Sequence, residues 1–330
     1  NLTSGARNSG AGSNALASVS TGSNNTSLGY NALGAVSTGG DNTAVGAYAG
    51  DAISTVSGIT AIGYSALSAN TTGTKNTAVG YYAGKTLTTG PNNTAIGYEA
   101  LRDCETHGEN TAVGYYALSS NTMDNNTAVG WYAGRLNTTG NHNTFVGRAA
   151  AHQNTTGSYN IGVGGGTLAA NTTSSNHTAV GYAALAANTT GTNNTAVGYE
   201  ALTANTTGGD NTAVGFEALT ANTTASYNTA VGYFALGSNT TGEYNAAFGN
   251  GALDTNTTGD KNTGLGYYAL TGNTTGHYNT AVGNQALLTN STASHNTAIG
   301  HQAMYANTTG TKNVAVGPNA LDDNTTGDFN

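Results

Sequence analysis

Charge is what this chain lacks most. Only 7% of its 330 residues are charged, against about 25% in an ordinary globular domain. Lys and Arg total 8, Asp and Glu total 16, and the net charge is −8. The cations form no cluster, so nucleic acid is not an expected partner. Proline occurs twice and cysteine once. A single cysteine, Cys104, excludes an intrachain disulfide framework, and its residue type reads as a small buried apolar group. No apolar run approaches the ~18 residues that a membrane span needs. No signal peptide is visible, but the chain starts in mid-phrase. Residues 1–7 read as the tail of a preceding copy of the repeat described next, and Asn330 opens another. The expectation is a section of a longer protein.

What is present is glycine, 49 residues of it, and a phrase that keeps returning. Residues 194–210 read N-T-A-V-G-Y-E-A-L-T-A-N-T-T-G-G-D, and Asn211 begins the phrase again. We number its 17 positions as slots, with the Asn of N-T-A-V-G as slot 1. Every step between copies is 17 residues except that from Asn110 to Asn126, which is 16. The short step falls at Met123-Asp124-Asn125, where the turn glycine is missing. Slot 5 is Gly in all 19 complete copies, from Gly12 to Gly317. Slot 4 is always apolar, slot 8 is Ala except at Thr167, and slot 9 is usually Leu. A fixed short period decides architecture before any local propensity does. The composition borders on low complexity, yet the apolar slots hold strict phase, which excludes disorder.

Seventeen residues are too few for a helical-hairpin repeat, which needs about 33. β-branched residues at slots 2, 4, 13 and 14, with Gly at 5 and 15, predict two short strands and two turns per copy. One such coil cannot bury its apolar residues, but stacked coils can. The expected fold is all-β: a parallel β-solenoid, or β-roll, of about 19 coils. It would form one continuous domain over 1–330 and an elongated rod of about 90 Å at ~4.8 Å per coil. Slots 4 and 9 are expected to line the core, with Ala at slots 8 and 3 where the walls are close. In three copies slot 9 is Gly, at Gly50, Gly84 and Gly134, and each has a large apolar residue soon after: Ile53, Leu87 and Leu136. A close-packed core would refill lost volume in this way.

Slot 6 carries a series of aromatics: Tyr30, Tyr64, Tyr81, Tyr98, Tyr115, Trp131, Tyr182, Tyr199, Phe216, Tyr233 and Tyr267. Following the slot 5 glycine, these rings should point outward and stack into a stripe. Such a stripe either stiffens the coil edges or forms a carbohydrate-binding or subunit-packing face. Arg148, Gly165, Asn250 and Pro318 interrupt it.

Slot 12 is Asn in every copy from Asn121 onward. Thirteen slot 12 residues head N-x-S/T sequons: Asn70, Asn137, Asn154, Asn171, Asn188, Asn205, Asn222, Asn239, Asn256, Asn273, Asn290, Asn307 and Asn324. Two readings stand. In a glycosylating cell they would carry a row of N-glycans. Alternatively their amides stack between coils as an internal ladder. Earlier copies place Leu2, Val19, Val36, Ile53, Leu87 and Cys104 in this slot, which favours an inward-facing side chain.

Residues with catalytic or metal-binding potential do not line up. The seven His residues fall in slots 15, 17, 10, 1, 16, 17 and 6, so no metal array is expected. No copy has the calcium-binding G-G-x-G-x-D nonapeptide. Gly162-Val163-Gly164-Gly165-Gly166 lacks the βαβ setting of a dinucleotide loop. The repeat is disturbed only over 101–125, where Arg102, Asp103, Cys104, Glu105, His107 and Glu109 gather. That stretch reads as a surface irregularity. The expectation is a protein without catalytic residues, metal or cofactor.

The phrase T-A-V-G-Y-x-A-L followed by N-T-T-G resembles two related groups of repeats over essentially the whole chain. One is the head of YadA-like trimeric autotransporter adhesins, whose shorter repeat has the form A-[IV]-G-x-x-A. The other is the repetitive shaft of phage tail-fibre and bacterial surface proteins that end in a self-cleaving chaperone domain. The 17-residue period and the N-T-T-G turn depart from the adhesin heads. The resemblance implies an extracellular, cell-surface or virion fibre, self-associating as a homotrimer or end to end. It would serve adhesion to a surface glycan or host receptor. A glycan-coated filament is one alternative, and an ice- or carbohydrate-binding solenoid another. For ice the adjacent Thr206-Thr207 is a poor match, because neighbours on a strand face opposite ways.

Overall fold

A computed structural model describes residues 5–330; Leu2, assigned above to slot 12, lies outside them. The chain divides into two compact units, Asn1–Asn160 and Ile161–Asn330. Each unit is an all-β parallel solenoid with one coil per repeat. Its strands have three residues each and fill slots 2 to 4. The first unit carries nine, from β1 (Ser9–Ala11) to β9 (Thr144–Val146), and the second carries ten, from β10 (Ile161–Val163) to β19 (Val314–Val316). Successive strands pair in parallel without slippage: Thr195, Ala196 and Val197 face Thr212, Ala213 and Val214. The 16-residue step does not disturb this register. Thr111 still pairs with Thr127, and the Asp124 carboxylate accepts the Gly108 N–H at 2.6 Å, so the turn absorbs the missing residue.

Only one strand forms per coil, not two. Slots 13 to 15 make a turn in which three successive amides converge on one carbonyl. Thr189, Thr190 and Gly191 all donate to the Thr206 oxygen of the next coil, at 2.9, 3.2 and 3.4 Å. That convergence is incompatible with the evenly spaced bonds of a parallel strand ladder. Elsewhere the backbone still pairs from coil to coil. Gly198 donates to Val180 at 2.8 Å, Leu202 to Ala218 at 3.0 Å and Asp210 to Thr192 at 2.9 Å.

The core is lined differently from the expectation as well. Slot 3 faces inward, and Ala179, Ala196, Ala213 and Ala230 are wholly buried. Slot 4 therefore faces outward by strand alternation, leaving Ile62, Leu265 and Val316 exposed. The residue always apolar in sequence is a surface residue, and the small one beside it is core. Space explains the choice. The inner layer holds Leu at slot 9 against Ala at slots 3 and 8, all buried. Phe145, at slot 3, reaches over Gly134, the slot 9 residue of the preceding coil; a Cβ on that glycine would lie 2.8 Å from Phe145 Cδ2, and slot 9 of its own coil is Ala151. Phe145 thus fills the space that Leu136 was expected to fill, and Leu136 is exposed. The other two compensations hold: a Cβ at Gly50 would meet Ile53 Cδ1 at 2.8 Å, and one at Gly84 would meet Leu87 Cδ1 at 3.1 Å.

Each coil bends through left-handed backbone at slots 7, 9 and 17, as at Glu200, Leu202 and Asp210, with φ of +51°, +54° and +56°. A leucine in this region costs roughly 1–2 kcal/mol. Full burial of its side chain, about 2 kcal/mol, offsets that cost. Among the described residues no helix is long and apolar enough to cross a membrane.

Candidate functional site

The half of the core away from the alanines is built of amides. Slot 12 Asn residues are buried, the thirteen predicted positions included, with Asn324 at the chain end half-buried. Asn205 shows the arrangement. Its Nδ2 donates to Asn188 Oδ1 of the preceding coil at 2.9 Å and to the Gly208 carbonyl of its own coil at 2.9 Å. Its Oδ1 accepts from Asn222 Nδ2 at 2.9 Å. Both amide protons and the oxygen are therefore used. The same amide-to-amide bond recurs at 3.0 Å from Asn239 to Asn222 and at 2.8 Å from Asn256 to Asn239.

This geometry bears directly on glycosylation. The sugar of an N-glycan is attached to Nδ2, and here that atom is enclosed and makes two hydrogen bonds. Peptide mapping of the folded protein from a glycosylating host is expected to find Asn205 and Asn222 unmodified; a hexose-bearing Asn205 peptide would contradict this packing.

A second amide column, at slot 1, went unread in the sequence. Asn194, Asn211 and Asn228 are wholly buried. Asn194 Nδ2 donates to the Gly208 carbonyl at 2.9 Å, so that carbonyl accepts from slots 1 and 12 together. Asn194 Oδ1 accepts the backbone N–H of Asn211 in the next coil at 3.0 Å. The signal was available: Asn recurs in slot 1 nearly as faithfully as Ala in slot 8. A polar residue fixed beside a strand has to be satisfying backbone groups.

Two copies depart from Asn at slot 1. Ile59 takes the slot in one, and that same coil has Asn70 at slot 12 between Ile53 and Leu87 of its neighbours. Asn70 is buried, and neither Oδ1 nor Nδ2 has a hydrogen-bond partner. In the other, His177 mimics the amide. Its Nδ1 accepts the Asn194 N–H at 3.2 Å, so the neutral ring carries its proton on Nε2, 3.0 Å from Ser174 Oγ. Burial lowers its pKa from 6.5 to about 4. The folded value lies below the unfolded one, so the stability due to neutral His177 is complete above pH 6.5. It is lost as pH falls from there through 4, by about 3 kcal/mol in all. Chemical denaturation at pH 7 and pH 4 is expected to show this loss in the wild type and a smaller one in His177→Asn, whose amide restores the regular column. An equal loss in both would remove His177 as the cause.

The aromatic stripe lies on the surface as expected: Tyr64, Tyr81, Tyr98, Tyr115, Trp131, Tyr182, Tyr199, Phe216, Tyr233 and Tyr267 are all exposed. Tyr182, Tyr199, Phe216 and Tyr233 stack at centroid spacings of 5.4, 5.2 and 5.2 Å, within 19° of parallel. In the first unit Tyr64, Tyr81, Tyr98 and Tyr115 do the same at 5.5, 5.1 and 5.3 Å. Where slot 6 is Ala47, the slot 7 ring of Tyr48 lies between Tyr30 and Tyr64 instead, edge-on to both. Ring faces in these stacks cover one another, and the edges meet solvent. Slot 4 aliphatics lie one glycine away in sequence, so each unit carries an outer apolar face. Arg148 is the one Lys, Arg, Asp or Glu in slots 2, 4 and 6 of that face, and it rests on the Trp131 ring at 5.2 Å. Thr206, half-buried, donates its hydroxyl to the Thr223 carbonyl at 3.0 Å, while Thr207 is exposed.

The irregular stretch at 101–125 resolves into packing. Arg102 pairs with Glu99 at 2.5 Å and Asp103 at 2.6 Å. Cys104 is buried, and desolvation pushes its thiol up to about 12, which leaves it protonated and unreactive at neutral pH. Among the described residues no three His, Cys, Asp or Glu side chains come together as a metal site would require. No protein-family model matches the chain, and no curated protein matches it either.

Proposed function

We propose that this chain is a non-enzymatic structural module of an extracellular or virion-borne fibre, in which copies associate side by side through the outer slot 4 and slot 6 face. The observation that carries this reading is the outer apolar face of each unit, continuous at slot 4 and interrupted at slot 6 by residues such as Arg148 and Asn250. Monomeric proteins rarely leave contiguous apolar patches beyond a few hundred Å² exposed. The partner favoured is a second copy of the same chain, because only a surface with the same coil repeat of ~4.8 Å can meet every ring in turn. The near absence of charge on the face supports a dry contact rather than a salt-dependent one. The resemblance to adhesin heads and tail-fibre shafts supports the extracellular setting.

Light scattering after size exclusion tests the association. The wild type is expected to run as more than one chain, and a Val214→Lys, Phe216→Glu pair as one chain with an unchanged circular dichroism spectrum. A monomeric wild type at every attainable concentration would end the proposal.

A further inference from the structure

The first unit contains a groove that the repeat does not explain. It opens beside slots 6 to 13 of four consecutive coils and has a volume of about 630 Å³, within the range of small-ligand sites. Three slot 10 residues shape it: Asp51, Ser68 and Lys85. These stand in successive coils, so the carboxylate and the ammonium are rooted two coils apart, roughly 9–10 Å. Ser68 lies between them and leaves the gap open. Tyr64 and Tyr82 supply aromatic surface.

The charged groups are not spent on each other. No carboxylate among the described residues lies within ion-pair distance of Lys85. Its ammonium rests instead 4.0 Å over the Tyr82 ring. Asp51 is half-buried; its carboxylate takes a long 3.4 Å bond from Asn31 on Oδ2 and leans on its own and the Ala52 backbone N–H. Oδ1 is enclosed and meets no side-chain donor. Burial pushes its carboxyl above the usual range.

We propose that this groove binds a pyranose unit of a neutral glycan. A sugar hydroxyl donates to Asp51, a ring or hydroxyl oxygen accepts from Lys85, and the apolar C–H side of the ring packs on tyrosine. Hydroxyl-bearing walls and an open rather than enclosed shape suit a residue within a longer chain of sugars. The groove and the apolar face share Tyr64; the rest of the groove lies on slots 7 to 13, so a substitution at Asp51 or Ser68 leaves the slot 4 and slot 6 face intact.

Saturation-transfer NMR on the full chain tests it, with the methyl pyranosides of glucose, galactose, mannose and N-acetylglucosamine as probes. At least one is expected to show transfer to its ring protons. That signal should fall at least fivefold in Asp51→Ala and in Ser68→Tyr, which fills the gap without touching a charge. Thermal unfolding of each variant against the wild type confirms that the fold is kept, and Lys85→Ala serves as a third variant if either fails. Absence of transfer to all four probes, or transfer that survives in the folded variants, would overturn the assignment.

Discussion

Replacing Gly198 by alanine is expected to destabilise the second unit by about 4 kcal/mol or more, the scale reserved for forced backbone change in a packed interior. Two causes act together. Gly198 has φ of +145°, a conformation that L side chains rarely adopt. A Cβ placed there would also lie 2.1 Å from the Gly215 carbonyl oxygen of the next coil. That obstacle is backbone and cannot swing aside. Moving it would break the Gly215 to Val197 hydrogen bond of 2.8 Å on the strand edge. The control is Thr207→Ala, at an exposed turn position, expected to change stability by less than about 0.5 kcal/mol. Urea denaturation followed by circular dichroism compares the two. A Gly198→Ala protein as stable as the control would mean that the coils can spread apart, and that slot 5 owes its glycine to something else.

The second large effect is a reversal of sign within one slot. Asn222→Leu is expected to cost about 2–3 kcal/mol. It removes the bonds to Asn205 Oδ1 at 2.9 Å and the Ala225 carbonyl at 3.0 Å, and it deprives Asn239 of its 3.0 Å acceptor. Asn70→Leu should instead raise stability by about 1–3 kcal/mol. The wild-type amide there is enclosed and unpartnered, between Ile53 and Leu87. The same substitution in two copies of one repeat thus separates the worth of a connected amide column from the cost of an isolated amide. Equal destabilisation at both sites would show that Asn70 has bonding that this geometry does not contain.

The period made the solenoid legible, because register follows from spacing alone: a residue 17 places on sits directly over its counterpart, as Ala196 does under Ala213. Which side each slot faces was less legible. Val197 looked like core and Ala196 like filler, since hydrophobicity usually marks the interior. Coil thickness decided otherwise, and thickness is a tertiary property that no single copy displays. Asn194 was passed over for the opposite reason. A buried amide is invisible to a search for apolar periodicity, although its recurrence was in plain view. Leu202 at φ of +54° could not be anticipated either. Local preference argues against leucine in that conformation, and only the packed layer over Ala196 and Ala201 overrides it. The groove beside Asp51 and Lys85 was missed because its residues occupy slots that vary between copies, which repeat analysis discards as noise.

The strict register has a further consequence for how such a molecule can change. If residues 195–211 were excised, Thr178–Val180 would meet Thr212–Val214 with the same partners that Thr195–Val197 now provides. Asn222 would reach Asn188 where it now reaches Asn205. Length in this architecture is therefore a freely adjustable quantity, lengthened or trimmed in whole turns without designing a new junction. Gain or loss of a repeat is a milder event here than many single substitutions.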